Sequence, residues 1–158
     1  MSHGTKPIPE GFHTVTPYLI VEGAAGAIEF YKEAFGATEL LRMEDPESER
    51  IVHAEIQVGD SPVMLADEPT GFPGMRGPRA LGGSPVHIFL YVEDADATMD
   101  RAISAGAKVL EPAQDYPAEG DRRGGFEDPF GFVWWVATRI EDISREEIQR
   151  RYDEQVKS

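Results

Sequence analysis

His87–Gly106 reads HIFLYVEDADATMDRAISAG, an apolar run that turns at Glu93-Asp94 into a short amphipathic helix closed by glycine. An earlier stretch, Thr16–Gly36 (TPYLIVEGAAGAIEFYKEAFG), follows the same plan. Laid over each other, Val21-Glu22 meets Val92-Glu93, and Phe35-Gly36-Ala37 meets Ala105-Gly106-Ala107 once a single gap is opened between strand and helix end. One chain thus carries two copies of one module, and the expected place for its function is between them.

Working outward, each copy reads as β-α-β-β-β. In the first, a strand over 14–21 leads into a helix over 24–35, whose Ile28, Tyr31, Ala34 and Phe35 recur at spacings of three and four. Gly36 stands where a left-handed residue ends a helix. Strands follow at 38–43, 51–58 and 62–66, the second alternating cleanly: Val52, Ala54, Ile56 and Val58 on one side, Ile51, His53, Glu55 and Gln57 on the other. In the second copy the strand is 85–92. Asp94 caps a helix with Ala95, Met99, Ala102 and Ile103 on its apolar face. Strands are expected at 108–110, 121–126 and 132–138, the last after the turn Asp128-Pro129-Phe130-Gly131. Ser144-Arg145-Glu146-Glu147 is a capping box opening a charged helix to about Val156, with Ile143 placed to staple onto Ile148.

The organisation that results is a lead-in (1–12), a first module (13–68), a Gly- and Pro-rich segment (69–84), a second module (85–140) and a helical tail (141–158). The 69–84 segment, PTGFPGMRGPRALGGS, has no periodicity. It is long for a connection within a compact domain, and reads as a linker in preference to a flap over a site. The fold class is α+β.

A length of 158 residues suits one domain or two half-domains sharing a core. No apolar run approaches the roughly 20 residues of a membrane span, and Met1–Glu10 lacks the apolar centre of a secretory signal. The chain has no cysteine, which removes disulfides, thiolate metal sites and cysteine nucleophiles and suits a reducing cytoplasm. A net charge of −14 argues against nucleic acid, whose phosphates require clustered Lys and Arg. No glycine-rich phosphate loop follows a strand, so nothing points to nucleotide binding.

The duplicated modules, together with VTPYLIV, IEFYKEAFGA, HAEIQVGDSPVMLAD and GDRRGGFEDPFG, resemble the vicinal oxygen chelate superfamily over about residues 13–140. That group holds glyoxalase I, the extradiol dioxygenases and the fosfomycin and bleomycin resistance proteins, and the motifs are most similar to its PhnB-like subgroup. The resemblance implies modules joined into a curved mixed sheet around a cleft, with helices on the convex side. Modules in this superfamily pair within one chain or between two, and a homodimer is expected.

Metal-using members hold a divalent ion with side chains from the first and last strands of each module. On this sequence those positions fall on Thr16, Met64–Ala66, His87 and Trp135, so one ligand of four survives. The resemblance therefore implies no metal cofactor. If a divalent metal is bound, the remaining candidates are His53, Glu55 and His87, a set that matches no known signature.

Alternation gives a second view. If the apolar side of 51–58 packs on helices, His53, Glu55 and Gln57 face the cleft. By the same parity so do His87, Phe89 and Tyr91, with Tyr18 and Trp135. Arg122 and Arg123, in an acidic chain, lie at the expected mouth, where an arginine can clamp a carboxylate or phosphate. The candidate ligand-binding residues are Tyr18, His53, Gln57, Phe89, Tyr91, Arg122 and Trp135, and the candidate catalytic residues are Glu55 and His87. His3 and His13 belong to the lead-in and are given no role. The leading expectation is a metal-independent protein that binds a small aromatic or amphipathic molecule. A metal-dependent lyase, isomerase or dioxygenase and a metal-free acid–base catalyst are the alternatives.

Overall fold

A computed structural model describes residues 4–158, which divide into two compact units, one ending at Ser84 and the other beginning at Pro85. In the first unit the order is β1 (Tyr18–Val21), α1 (Ala24–Phe35), β2 (Thr38–Glu44), β3 (Ile51–Val58), β4 (Ser61–Asp67) and α2 (Pro78–Leu81). The second holds β5 (His87–Tyr91), α3 (Ala95–Ser104), β6 (Lys108–Tyr116), β7 (Asp121–Glu127), β8 (Val133–Arg139) and α4 (Arg145–Lys157). Each unit builds one open four-stranded mixed sheet, ordered β1-β4-β3-β2 and β5-β8-β7-β6. The first and last strands of each module run parallel, and the other pairs are antiparallel. Tyr18 pairs with Met64 as Phe89 pairs with Trp135, so the offset that carries Val21 onto Val92 holds through the central strands. Among the described residues no helix is long and apolar enough to cross a membrane.

Each sheet buries one face under its helix. Leu19, Val21, Ala54, Ile56, Val63 and Leu65 pack with Ala24, Ala27, Ile28 and Tyr31 of α1, all buried, because the strand period of two and the helix spacing of three and four bring apolar side chains to one layer. Phe35 stacks on Tyr31, with centroids 5.8 Å apart. The C-terminus of α1 ends as expected: Gly36, at φ 67°, donates to Lys32 O, and Ala37 donates to Tyr31 O. The start of α1 has no cap in its own sequence. Asp67, at the end of β4, supplies one instead. Its Oδ1 accepts from Gly23 N and Ala24 N, and its Oδ2 accepts from Ile51 N.

In the second unit the same offset carries Asp67 onto Thr138, which accepts from Ala95 N and donates to Val92 O, while Asp94 caps α3 through Ala97 N. The Asp128-Pro129-Phe130-Gly131 turn is built on a buried carboxylate. Asp128 accepts from Phe130 N and Phe132 N on one oxygen and from the Trp134 indole N–H on the other, at 2.8 Å.

Several local expectations give way. Val52 is exposed and Ile51 buried, because β3 has an extra residue opposite Met43 and Glu44, and this bulge turns Val52 outward. Ile103 is also exposed, since the buried stripe of α3 is Ala95, Thr98, Met99 and Ala102. Two strands begin late: β1 starts after Pro17, and β5 leaves Val86 exposed. β6 is longer than expected, because it pairs with β7 through two irregularities around Pro112 that hide its periodicity. The segment after β4 forms α2 and lies along β1 so closely that a Cβ on Gly77 would stand 2.6 Å from Ile20 O. It thereby covers a sheet edge.

The tail helix α4 is capped as its capping box predicts, Ser144 accepting from Glu147 N. Arg151 ties it to its own unit through Pro117 O and the Glu141 carboxylate.

Candidate functional site

The face of the first sheet turned away from α1 carries Tyr18, His53, Glu55, Gln57 and Met64, which alternate with residues buried against the helix, and Leu41 and Met43, which pair with Glu55 and His53 from β2. Glu55 is paired with Met64 on one side and Leu41 on the other, and His53 with Met43. The Tyr18 hydroxyl and His53 Nδ1 are 2.8 Å apart, and His53 Nε2 stands 3.9 Å from Glu55 Oε2. Partial burial, and then the Glu55 charge, raise the Tyr18 hydroxyl above its ordinary pKa, so it stays protonated. In the tautomer whose Nδ1 accepts from that hydroxyl, the imidazole proton sits on Nε2, on the Glu55 side. Three sequence candidates are thus brought into one row. Gln57 shares the face but spends its amide on Gly59 O at 3.3 Å.

The corresponding face of the second sheet carries His87, Phe89, Tyr91 and Trp135. Phe89 and Tyr91 rings lie 5.2 Å apart and remain 44% and 68% exposed. Trp135 lies across the sheet. Its six-membered ring covers Gly125, where a Cβ would come within 2.8 Å, and its indole N–H donates to His87 Nδ1 at 3.1 Å. Trp134, the preceding residue, is fully buried on the opposite face. Adjacent strand residues face opposite ways, so one tryptophan is core and the other is displayed.

Arg122 is placed elsewhere. It pairs with Thr138 on the α3 side, where it donates to Asp96 at 2.6 and 2.9 Å and to Asp115 at 3.0 Å. Those hydrogen bonds push its pKa above the ordinary range and pull that of Asp96 below it. Arg123 has the opposite parity. It lies 3.8 Å over the Tyr116 ring and donates to the buried Asp121. Parity with the apolar Phe126 distinguishes the two arginines along the chain. Leu41, Met43 and Met64 around Glu55, and Gly125 beneath Trp135, are site residues that the sequence reading does not single out. Gly125 pairs with Trp135 as Glu55 pairs with Met64, and a glycine inside a strand is the signal for such a close approach. His13 Nε2 donates to Asp60 O at 3.2 Å, and His3 lies outside the described residues.

Residues 11–136 match the family model described as Glyoxalase/Bleomycin resistance protein/Dioxygenase superfamily. The chain belongs to this superfamily. Among its relatives is an uncharacterized protein of Mycobacterium tuberculosis, 39% identical over 137 residues, which cover 85% of this chain and 79% of that one. A gene product of Arabidopsis thaliana of known structure is 30% identical with a TM-score of 0.62, over 80% of this chain and 98% of its own. TioX from Micromonospora sp. ML1 is 25% identical with a TM-score of 0.60, over 84% and 100%.

The superfamily's metal-ligand positions can now be placed by strand register. Thr16 precedes β1 and donates to His13 O, and Met64 is the counterpart of Trp135. His87 is the one ligating residue type among the four. An indole N–H is a donor only, so His87 Nδ1 must accept and its proton lies on Nε2. A ligating histidine is held the other way, with one ring nitrogen donating to a second group and the other presenting its lone pair. Trp135 therefore turns His87 into a hydrogen-bond donor. Among the described residues no three His, Asp or Glu side chains gather to hold an ion, and of the four superfamily positions only His87 is a ligating residue type.

Proposed function

We propose that the protein binds a small, flat aromatic or amphipathic molecule on the His87–Phe89–Tyr91–Trp135 face, as a glyoxalase/bleomycin-resistance-like binding protein that uses no metal. The observation that carries this reading is the Trp135 indole, lying flat over Gly125 with its N–H on His87 Nδ1. The arrangement offers a stacking surface and one outward N–H donor, the mix of apolar area and a few placed polar groups from which small-molecule sites are built. The partners in this reading are the small molecule and a second copy of the chain, in a cytoplasmic setting, with neither nucleic acid nor membrane.

The test joins metal analysis of untagged protein with fluorescence titration of planar aromatics such as indole, quinoline and acridine. Both tryptophans lie in the second unit, and Trp134 is buried, so Trp135 is the reporter. Quenching that saturates is expected, with affinity at least tenfold weaker in Trp135→Ala when both proteins are compared by calorimetry, and no stabilisation by Ni, Zn, Mn or Fe(II). Stoichiometric metal that is lost in His87→Ala would replace this reading with a metal-dependent lyase, isomerase or dioxygenase.

A further inference from the structure

The first unit holds a carboxylate that accepts no hydrogen bond from the described residues. The Glu55 side chain is 17% exposed, yet among the described residues nothing donates a hydrogen bond to it, and its nearest polar neighbour is His53 Nε2 at 3.9 Å, beyond hydrogen-bond reach. Polar groups withdrawn from water are almost always hydrogen-bonded, so this acceptor is open to a ligand's donor. Among the described residues the face supplies no lysine or arginine. Arg42 pairs with Ala54 on the α1 side, where Glu39 and Glu44 hold it. Tyr18 and His53 are committed to each other. Around Glu55 stand Leu41, Met43, Met64 and the Tyr18 ring, an apolar and polarizable surround.

We propose that this face is a binding site for a primary ammonium or amidinium group on an apolar stem, with Glu55 as acceptor and Leu41, Met43, Met64 and Tyr18 along the stem. A carboxylate with free lone pairs rewards N–H donors through charge-assisted hydrogen bonds, which a quaternary ammonium cannot supply. The hydroxyl of an alcohol supplies a donor without the charge. The Tyr18–His53 hydrogen bond holds the imidazole beside the carboxylate. The site is built from the first unit alone and does not depend on the reading of the aromatic face.

Methionine methyl groups report on it directly. Met64 and Met43 are the strand partners of Glu55 and His53, whereas Met99 packs against Gly124 in the second unit. Benzylamine titrated into the full chain, labelled with carbon-13 at methionine methyls, is expected to shift Met64 and Met43 saturably and leave Met99 in place. Benzyl alcohol and benzyltrimethylammonium should bind at least tenfold more weakly, and Glu55→Gln should weaken benzylamine at least tenfold while its Met99 resonance stays at the wild-type position. Benzyl alcohol binding as tightly as benzylamine, or Met64 left unmoved at millimolar benzylamine, overturns the proposal on the wild-type protein alone, whether or not the variant folds. Because this readout is methionine shifts and that of the aromatic face is tryptophan quenching, either site can fail without the other.

Discussion

Asp128 shows how one side chain can carry a local fold. Its carboxylate closes the turn before β8 through two backbone amides and also satisfies the buried indole N–H of Trp134. Asp128→Ala would remove the carboxylate that accepts from that buried indole and release the turn. From the penalty for unsatisfied buried donors, the expected cost is about 3 kcal/mol of folding stability, read as a lower urea midpoint with an unchanged slope. A variant within about 0.5 kcal/mol of wild type, the range of ordinary surface substitutions, would contradict this role. The same reasoning applied to Trp135 gives a different answer, because its N–H bond lies on a half-exposed face and orients His87 more than it stabilises the fold.

At the scale of an element, α4 is held by charge. None of its residues is buried, and its links to the body are Arg151 with Glu141 and Pro117 and, within the helix, Glu147 with Arg150 and Arg151. Hydrogen bonds from Arg150 and Arg151 pull Glu147 down to about 2, and Arg151 lowers Glu141 as well. A carboxylate whose folded pKa is depressed contributes above its unfolded value, near 4.3, and loses that contribution as pH falls through the folded one. Glu147 should therefore keep its pairs within the helix until pH approaches 2, while the Arg151–Glu141 contact that docks the helix weakens as pH falls below about 4.3, and both give way earlier in 1 M salt, where the Debye length is about 3 Å. Chemical shifts of Arg151 and the α4 amides followed through an acid titration check this. Undocking complete by pH 5 would show that something other than these ion pairs sets the contact.

For the whole molecule, the expected assembly is a homodimer, as the superfamily resemblance implies. Exposed Leu40 on β2 and exposed Tyr152 and Val156 on α4 are apolar surface that a second copy can cover. Light scattering should return twice the 17.5 kDa chain mass, and a mass of one chain across micromolar concentrations would refute it. The charge of −14 acts at the same scale. It favours the approach of cationic ligands and makes their association rate fall with ionic strength.

The repeat, the element order, the tail helix cap and the separation of Trp134 from Trp135 can all be read along the chain. Strand alternation and helix periodicity are properties of neighbouring residues, and the repeat offset carries them from one module to the next. The scarcity of metal-ligand types at Thr16, Met64, His87 and Trp135 is legible for the same reason. Other features are decided by register between strands that are distant in sequence. The bulge that exposes Val52 depends on β2, the α1 cap comes from Asp67 far along the chain, and Arg122 is claimed by Asp96 across the α3 side. Trp135 reaches His87 across 48 residues, and Glu55 accepts no hydrogen bond among the described residues because His53 Nε2 stops 3.9 Å away. Periodicity says which way a side chain points. Only the pairing of strands decides which partner it meets there.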